Sequence, residues 1–202
     1  MATVETELKL AEGVAKEIKK VITPLKYADD EWSTTVAAFI DQALEHHPAI
    51  ILLIRSAIFG SAFALLRPLV ELVFRGVWIA TAASDVEIKR FREKDEINHS
   101  FGEMAKAIDK ACGIDFFHNL KKRSWDALNS YTHTGILQLG RRFTGHNLEP
   151  SYTDGEKSEV ISTATTMLLL LVRPFLVKHG HNNEAVRVDE IGNLWVAESK
   201  KA

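Results

Sequence analysis

The chain has 202 residues, 46% of them apolar and 26% charged, enough to bury one substantial core in a single globular domain. Its formal charge of −2 gives no global attraction to nucleic acid or to an anionic membrane, so any such binding has to come from a local patch. One cysteine, Cys112, excludes an internal disulfide and a cysteine-rich metal site.

The start, MATVETELKL, is acidic and amphipathic, unlike the basic region and apolar run of a signal peptide. The run Ser56 to Leu66 is bracketed by Arg55 and Arg67, and the run Met167 to Val172 stops at Arg173. Both fall short of the roughly 20 residues of a spanning helix. The expectation is a cytoplasmic protein with no membrane partner.

In chain order, Val4, Leu8, Val14, Ile18 and Val21 recur at helical spacing, and Thr23-Pro24 ends that first helix. A second helix is expected from about Asp30 to His46. His47-Pro48 then reads as a cap with proline at the first position of the next helix. From Pro48 to about Ala83 the chain is apolar nearly all round, which marks one central buried helix or a pair, broken near Leu66 and Arg67 by Pro68. Ser84 with Glu87, and Ser100 with Glu103, form capping boxes that open two shorter helices, the second ended by Gly113. A further helix is expected from about Ser124 to Phe143, with Gly145 and Pro150 in the loop beyond it. Asp154 starts a long helix through Val177. In the tail, Val186 and Val188 alternate, Gly192-Asn193 is a turn signal, and Leu194 and Val196 follow, a pattern that suits a small hairpin over residues 186–196. The fold class is therefore all-α: a single-domain bundle of five or more helices over residues 1–182, with a short C-terminal hairpin or oligomerisation element in 183–202.

The informative polar residues lie on apolar helices. Arg67, Glu71 and Arg75 fall at i, i+4 and i+8, a drifting row along one helix face. Such a row is either an Arg-Glu-Arg ladder between helices or a charged wall lining a pocket. Asn129 and His133 stand one turn apart on a second helix. His133 is the best single candidate for acid–base work, because its proton is available near neutral pH. Tyr131 points elsewhere. The expectation is that His133 and Asn129 face the interior row, where two arginines and one carboxylate leave positive charge for an anionic ligand such as a phosphate. Arg141, Arg142 and His146 form a third group. Arg141 and His146, with four residues between them, match the loose Arg-x-x-x-x-His pattern of HEPN ribonucleases, in which histidine handles protons and arginine neutralises the scissile phosphate. Two features depart from that pattern: a second arginine follows the first, and Gly145 places His146 at or beyond a helix end. A basic helix C-terminus explains the same residues. Lys121-Lys122-Arg123 before Trp125 reads as a solvated basic face. No zinc-binding motif and no phosphate loop is present, so neither metal nor cofactor is expected.

The segment LLRPLVELVFRGVWI, followed some 60 residues later by WDALNSYTHTG, resembles uncharacterised bacterial helical proteins grouped loosely with the HEPN-like bundles of toxin and phage-defence loci. The resemblance covers roughly residues 50 to 145 and maps onto Arg67, Glu71, Asn129 and His133 as the family-typical polar positions. It implies a helical bundle and supplies no activity; the lead expectation is that the interior polar cluster has a binding or regulatory role, with an anionic ligand, in a protein connected to defence or stress. Two alternatives stand beside it: a metal-independent ribonuclease acting on RNA through His133 or His146 with Arg141 or Arg142, and a structural protein acting through oligomerisation. A homodimer whose interface includes residues 186–196 is expected in either case.

Overall fold

The computed structural model of the chain describes residues 3–201, with side chains as far as residue 199. Its architecture is all-α, with nine helices among the described residues and one two-stranded hairpin. The helix α1 (Val4–Ile22) starts on the Thr3 cap and buries Leu8, Ala11, Val14, Ile18 and Val21, the stripe that helical spacing predicts. Next come α2 (Glu31–Arg55), capped by Asp30, and α3 (Phe59–Thr81). The short helices α4 (Asp85–Lys94) and α5 (Phe101–Cys112) open on the two capping boxes, and α5 closes on Gly113 in the left-handed conformation. Then α6 (Phe117–Thr132), the single-turn α7 (Ile136–Gly140), and a hairpin of β1 (Phe143–Thr144) and β2 (Asn147–Leu148) lead to α8 (Asp154–Lys178) and α9 (Asn182–Lys201).

The centre of the bundle is α3, packed by α2 on one side, α8 on another, and α5 and α6 on a third. At Gly76 α3 lies close against its neighbours: a Cβ there would lie 2.6 Å from Leu171 Cδ1 and 3.1 Å from Phe39 Cβ. Among the described residues α8 alone is long and apolar enough to cross a membrane by length and composition. Most of its apolar residues are buried, on a helix that packs against α1, α2, α3 and α9, while Val177 is exposed.

Several boundaries differ from the sequence reading. His47-Pro48 does not start a helix: α2 runs straight through Pro48 to Arg55. Likewise α3 runs through Pro68 without ending. Each proline removes one ladder hydrogen bond, but the buried faces of these helices hold them continuous across the gap. The break falls instead at Ala57, which adopts φ 58 while the Ser56, Ala57 and Ile58 amides return to carbonyls of α2. The helix expected over 124–143 begins earlier, at Phe117, and stops at Thr132, because Thr134 turns left-handed at φ 56.

The C-terminal hairpin expected over 186–196 is also replaced. That stretch is helical, and its buried residues Ala185, Val188 and Trp195 follow helical spacing against α1 and α8. The two-residue alternation of Val186 and Val188 is coincidental, since Val186 faces out. A hairpin does exist, at 143–148, turning on Gly145 at φ 61.

Candidate functional site

The Arg67–Glu71–Arg75 row is not a ladder. Arg67 and Glu71 form an ion pair, with side chains 11% and 26% exposed. Arg75 is in no ion pair among the described residues; its guanidinium lies over the Phe101 ring, 5.5 Å from the centroid. Arg67 also lies over Trp125, at 4.0 Å, and the Trp125 and Phe101 rings meet at 4.6 Å. Each cation of α3 thus lies over a ring from a neighbouring helix, Trp125 of α6 or Phe101 of α5, and for Arg75 cation–π attraction stands where a second carboxylate would. One consequence is asymmetric. Glu71→Gln should lower stability by about 1 kcal/mol, because it weakens the sole carboxylate partner of a desolvated arginine. Arg75→Met, which keeps the apolar stem against Phe101, should change it by less than about half of that. Urea unfolding midpoints of the two variants check the contrast; equal losses would mean both arginines are held by charge alone.

Beside this lattice lies a cleft. Helices α6 and α8 both pack on α3, and between them a space of about 300 Å³ remains. The sequence explains it: the α6 residues facing the gap include Ser124 and Ala127, too short to reach across. The floor is apolar, made by Phe63 and Leu66 of α3, Leu120 and Leu128 of α6, and Val160 of α8. The rim is polar, with Arg123 and Ser124 on the α6 wall and Glu159 and Thr163 on the α8 wall. Leu137, Tyr131, Arg141 and Glu156 close one end. An apolar chamber with a few polar groups at its mouth is the general form of a small-molecule site.

The closed end is held by a polar clasp. Arg141 Nη2 pairs with Glu156, and Arg141 Nη1 donates to the Ser151 carbonyl at 3.4 Å. Ser151 N donates back to the Arg141 carbonyl at 2.9 Å. The Tyr131 oxygen and the Glu156 carboxylate hold the Arg141 proton more tightly than usual. Burial alone would raise the Glu156 pKa, but the Thr153 amide and hydroxyl, with Arg141, outweigh it and lower it. Tyr152 packs on Phe59 and Phe63 with its hydroxyl buried and unpaired. Burial raises its pKa.

The residues singled out from sequence are thus dispersed. Arg141 borders the cleft but is committed to Glu156. Asn129 is half-buried on α6, and its backbone carbonyl accepts from the His133 amide. His133 is the C-cap of α6 and is exposed, so it does not face the interior row as expected. His133 stands seven residues after Asp126, which is also exposed, so this is the solvent-facing side of α6 and not the side turned to α3. Arg142 and His146 are exposed before β1 and in the hairpin turn. Arg67, Glu71, Arg75 and Asn129 do not line the cleft. The residues that do, Ser124, Ala127 and Tyr131, stand at i, i+3 and i+7 on one face of α6. That small-small-Tyr stripe was the available signal. Among the described residues no group of three or more His, Cys, Asp or Glu side chains is placed to hold a metal ion.

The fold and cleft define an all-α bundle with a groove between two helices laid on a third. The chain belongs to a family of unknown function (DUF6988), whose model matches residues 40–184 and so takes in the cleft and the cation–π lattice. No curated protein and no solved structure matches the chain.

Proposed function

We propose that the protein is a binding bundle whose α6–α8 cleft takes a small molecule with an apolar body and a polar or anionic head. The carrying observation is the cleft itself, an apolar floor under a polar rim. Arg123 is the cation left for an anionic head, because Arg141 is already paired with Glu156. The anion expected at Arg67 and Arg75 moves, in this reading, to the rim. Anilinonaphthalene sulfonate supplies both parts, an apolar ring system and an anion, and is the probe. Saturable binding to one site is expected. Ala127→Trp, which fills the space from the α6 wall, should weaken it by roughly tenfold or more, while circular dichroism stays unchanged. Binding of equal strength in the folded variant would place the ligand elsewhere.

A second reading is supported by Arg142 and His146. Both are exposed, neither is in an ion pair among the described residues, and they lie in one short segment, Arg142 just before β1 and His146 in the hairpin turn. That is a free cation and a free imidazole close in the chain, as metal-independent RNA cleavage requires. The link to bacterial defence or stress belongs to the binding reading above and to the HEPN-like resemblance, and a ribonuclease would be compatible with it. RNA incubated in chelator with wild type, His146→Ala and His133→Ala decides it: cleavage lost in His146→Ala supports it, and no cleavage by wild type ends it.

A further inference from the structure

The Arg141–Glu156 pair at the closed end of the α6–α8 cleft cancels its own charge. Two charges remain at the mouth, and they are of opposite sign: Arg123 on the α6 wall and Glu159 on the α8 wall. Both residues are exposed, and neither is in an ion pair among the described residues, with the other or with any third group. Each has a hydroxyl nearby on its own helix that also lines the cleft. Ser124 follows Arg123 in the chain, and Thr163 stands one turn beyond Glu159.

Opposite charges on facing walls, with an apolar floor between them, set a requirement on the head of a ligand. A pure anion meets Arg123 but comes under the repulsion of Glu159, and a pure cation meets the reverse. A head with one charge of each sign satisfies both walls and leaves neither desolvated without a partner. The chamber limits the body. Its volume of about 300 Å³, over Phe63, Leu66 and Leu120, suits a ring system or a branched side chain better than a long acyl chain.

We propose that the ligand of this cleft is an apolar zwitterion of the α-amino-acid type. Its side chain lies on the floor, its carboxylate meets Arg123 and its ammonium meets Glu159. This rests on the reading of the cleft as a binding site and fixes the charge of the head on both sides. A choline-type zwitterion differs in kind, because its quaternary ammonium has no proton to donate to Glu159 or Thr163.

The test is equilibrium dialysis of the full chain, near neutral pH, against three molecules that share one indole: tryptophan, indole-3-propionate and tryptamine. Tryptophan should bind roughly threefold to fivefold more tightly than either analogue, the scale of one exposed ion pair. Glu159→Gln should erase its advantage over indole-3-propionate and keep its advantage over tryptamine. Arg123→Gln should do the opposite. Glu149→Gln, an exposed carboxylate outside the cleft, should bind as wild type does. All three positions are exposed, so the variants should fold, and thermal unfolding confirms that they do. Equal affinities for the three molecules, with anilinonaphthalene sulfonate bound in the cleft, leave the cleft a binding site and overturn the zwitterion. Tighter binding of hexylphosphocholine than of tryptophan overturns it in favour of a lipid-type head. Binding of none of these molecules overturns it as well, and when the sulfonate dye also fails to bind, the reading of the cleft falls with it.

Discussion

Replacing Asp109 with alanine should lower the stability of the fold by about 3 kcal/mol, within the range for two buried amides left without an acceptor. Asp109 lies in the last turn of α5, where its charge opposes the dipole of its own helix, and its side chain is buried. Its partner is the next helix. Asp109 Oδ1 accepts from the Phe117 amide and Oδ2 from the His118 amide, each at 2.9 Å. These are the first two residues of α6, whose own N-cap, Phe116, has no side-chain acceptor to offer. A carboxylate from one helix thus caps another, and it sets the angle at which α6 leaves α5. Asp109→Asn keeps one acceptor and should cost about half as much. Guanidinium unfolding with an unchanged slope measures both. A loss below about 1 kcal/mol for the alanine variant would mean that water replaces the carboxylate.

The second large effect is a pH dependence centred on His47. The ring is fully buried between α2 and α8, with Nε2 3.1 Å from Thr165 Oγ1. Thr165 already donates its proton to the Ile161 carbonyl at 2.8 Å. The threonine oxygen therefore accepts, and the imidazole is neutral with its proton on Nε2. Nδ1 is buried without a partner, so a second proton would put an unpaired cation in the core. Burial holds the pKa down at about 4, against an ordinary value of 6.5. Because the folded pKa is the lower one, the favourable contribution is complete above the unfolded value. It is lost as pH falls from 6.5 toward 4. That window is worth about 3 kcal/mol at roughly 1.4 kcal/mol per pH unit. His179, lowered by burial against Phe175 and Trp32, tilts stability the same way. The decisive comparison is therefore wild type against His47→Leu, which should keep stability near neutral pH and lose most of the slope. Equal slopes in the two proteins would show that His47 is hydrated in the fold.

Much of the scaffold was legible in sequence because its signals are local. The stripe from Leu8 to Val21, the boxes at Ser84/Glu87 and Ser100/Glu103, and the stop at Gly113 each depend on residues within a turn or two. The errors share a different cause. Pro48 and Pro68 are breakers that packing overrides, while Ala57 and Thr134 take left-handed φ with no glycine to announce it. The tail reads as a hairpin only while α1 and α8, which bury Ala185, Val188 and Trp195, are out of view. At the site, Arg67 and Glu71 were recognisable as partners from their spacing. The rings of Trp125 and Phe101, over which the two arginines lie, come from other helices, and spacing within α3 carries no trace of them. The cleft was missed because it is defined by small side chains. Ser124 and Ala127 are common small residues on a helix, and their meaning appears once α8 stands opposite.

The central claim is that the α6–α8 cleft is where this protein binds. Backbone amide shifts recorded while anilinonaphthalene sulfonate is added to the full chain test it most directly. Perturbations should concentrate on the cleft lining, at Ser124, Ala127, Tyr131, Val160 and Thr163, and reach saturation together. Shifts that leave these five amides in place and gather instead on the exposed apolar face of α7 and the hairpin, or on α1 and α9, would contradict it.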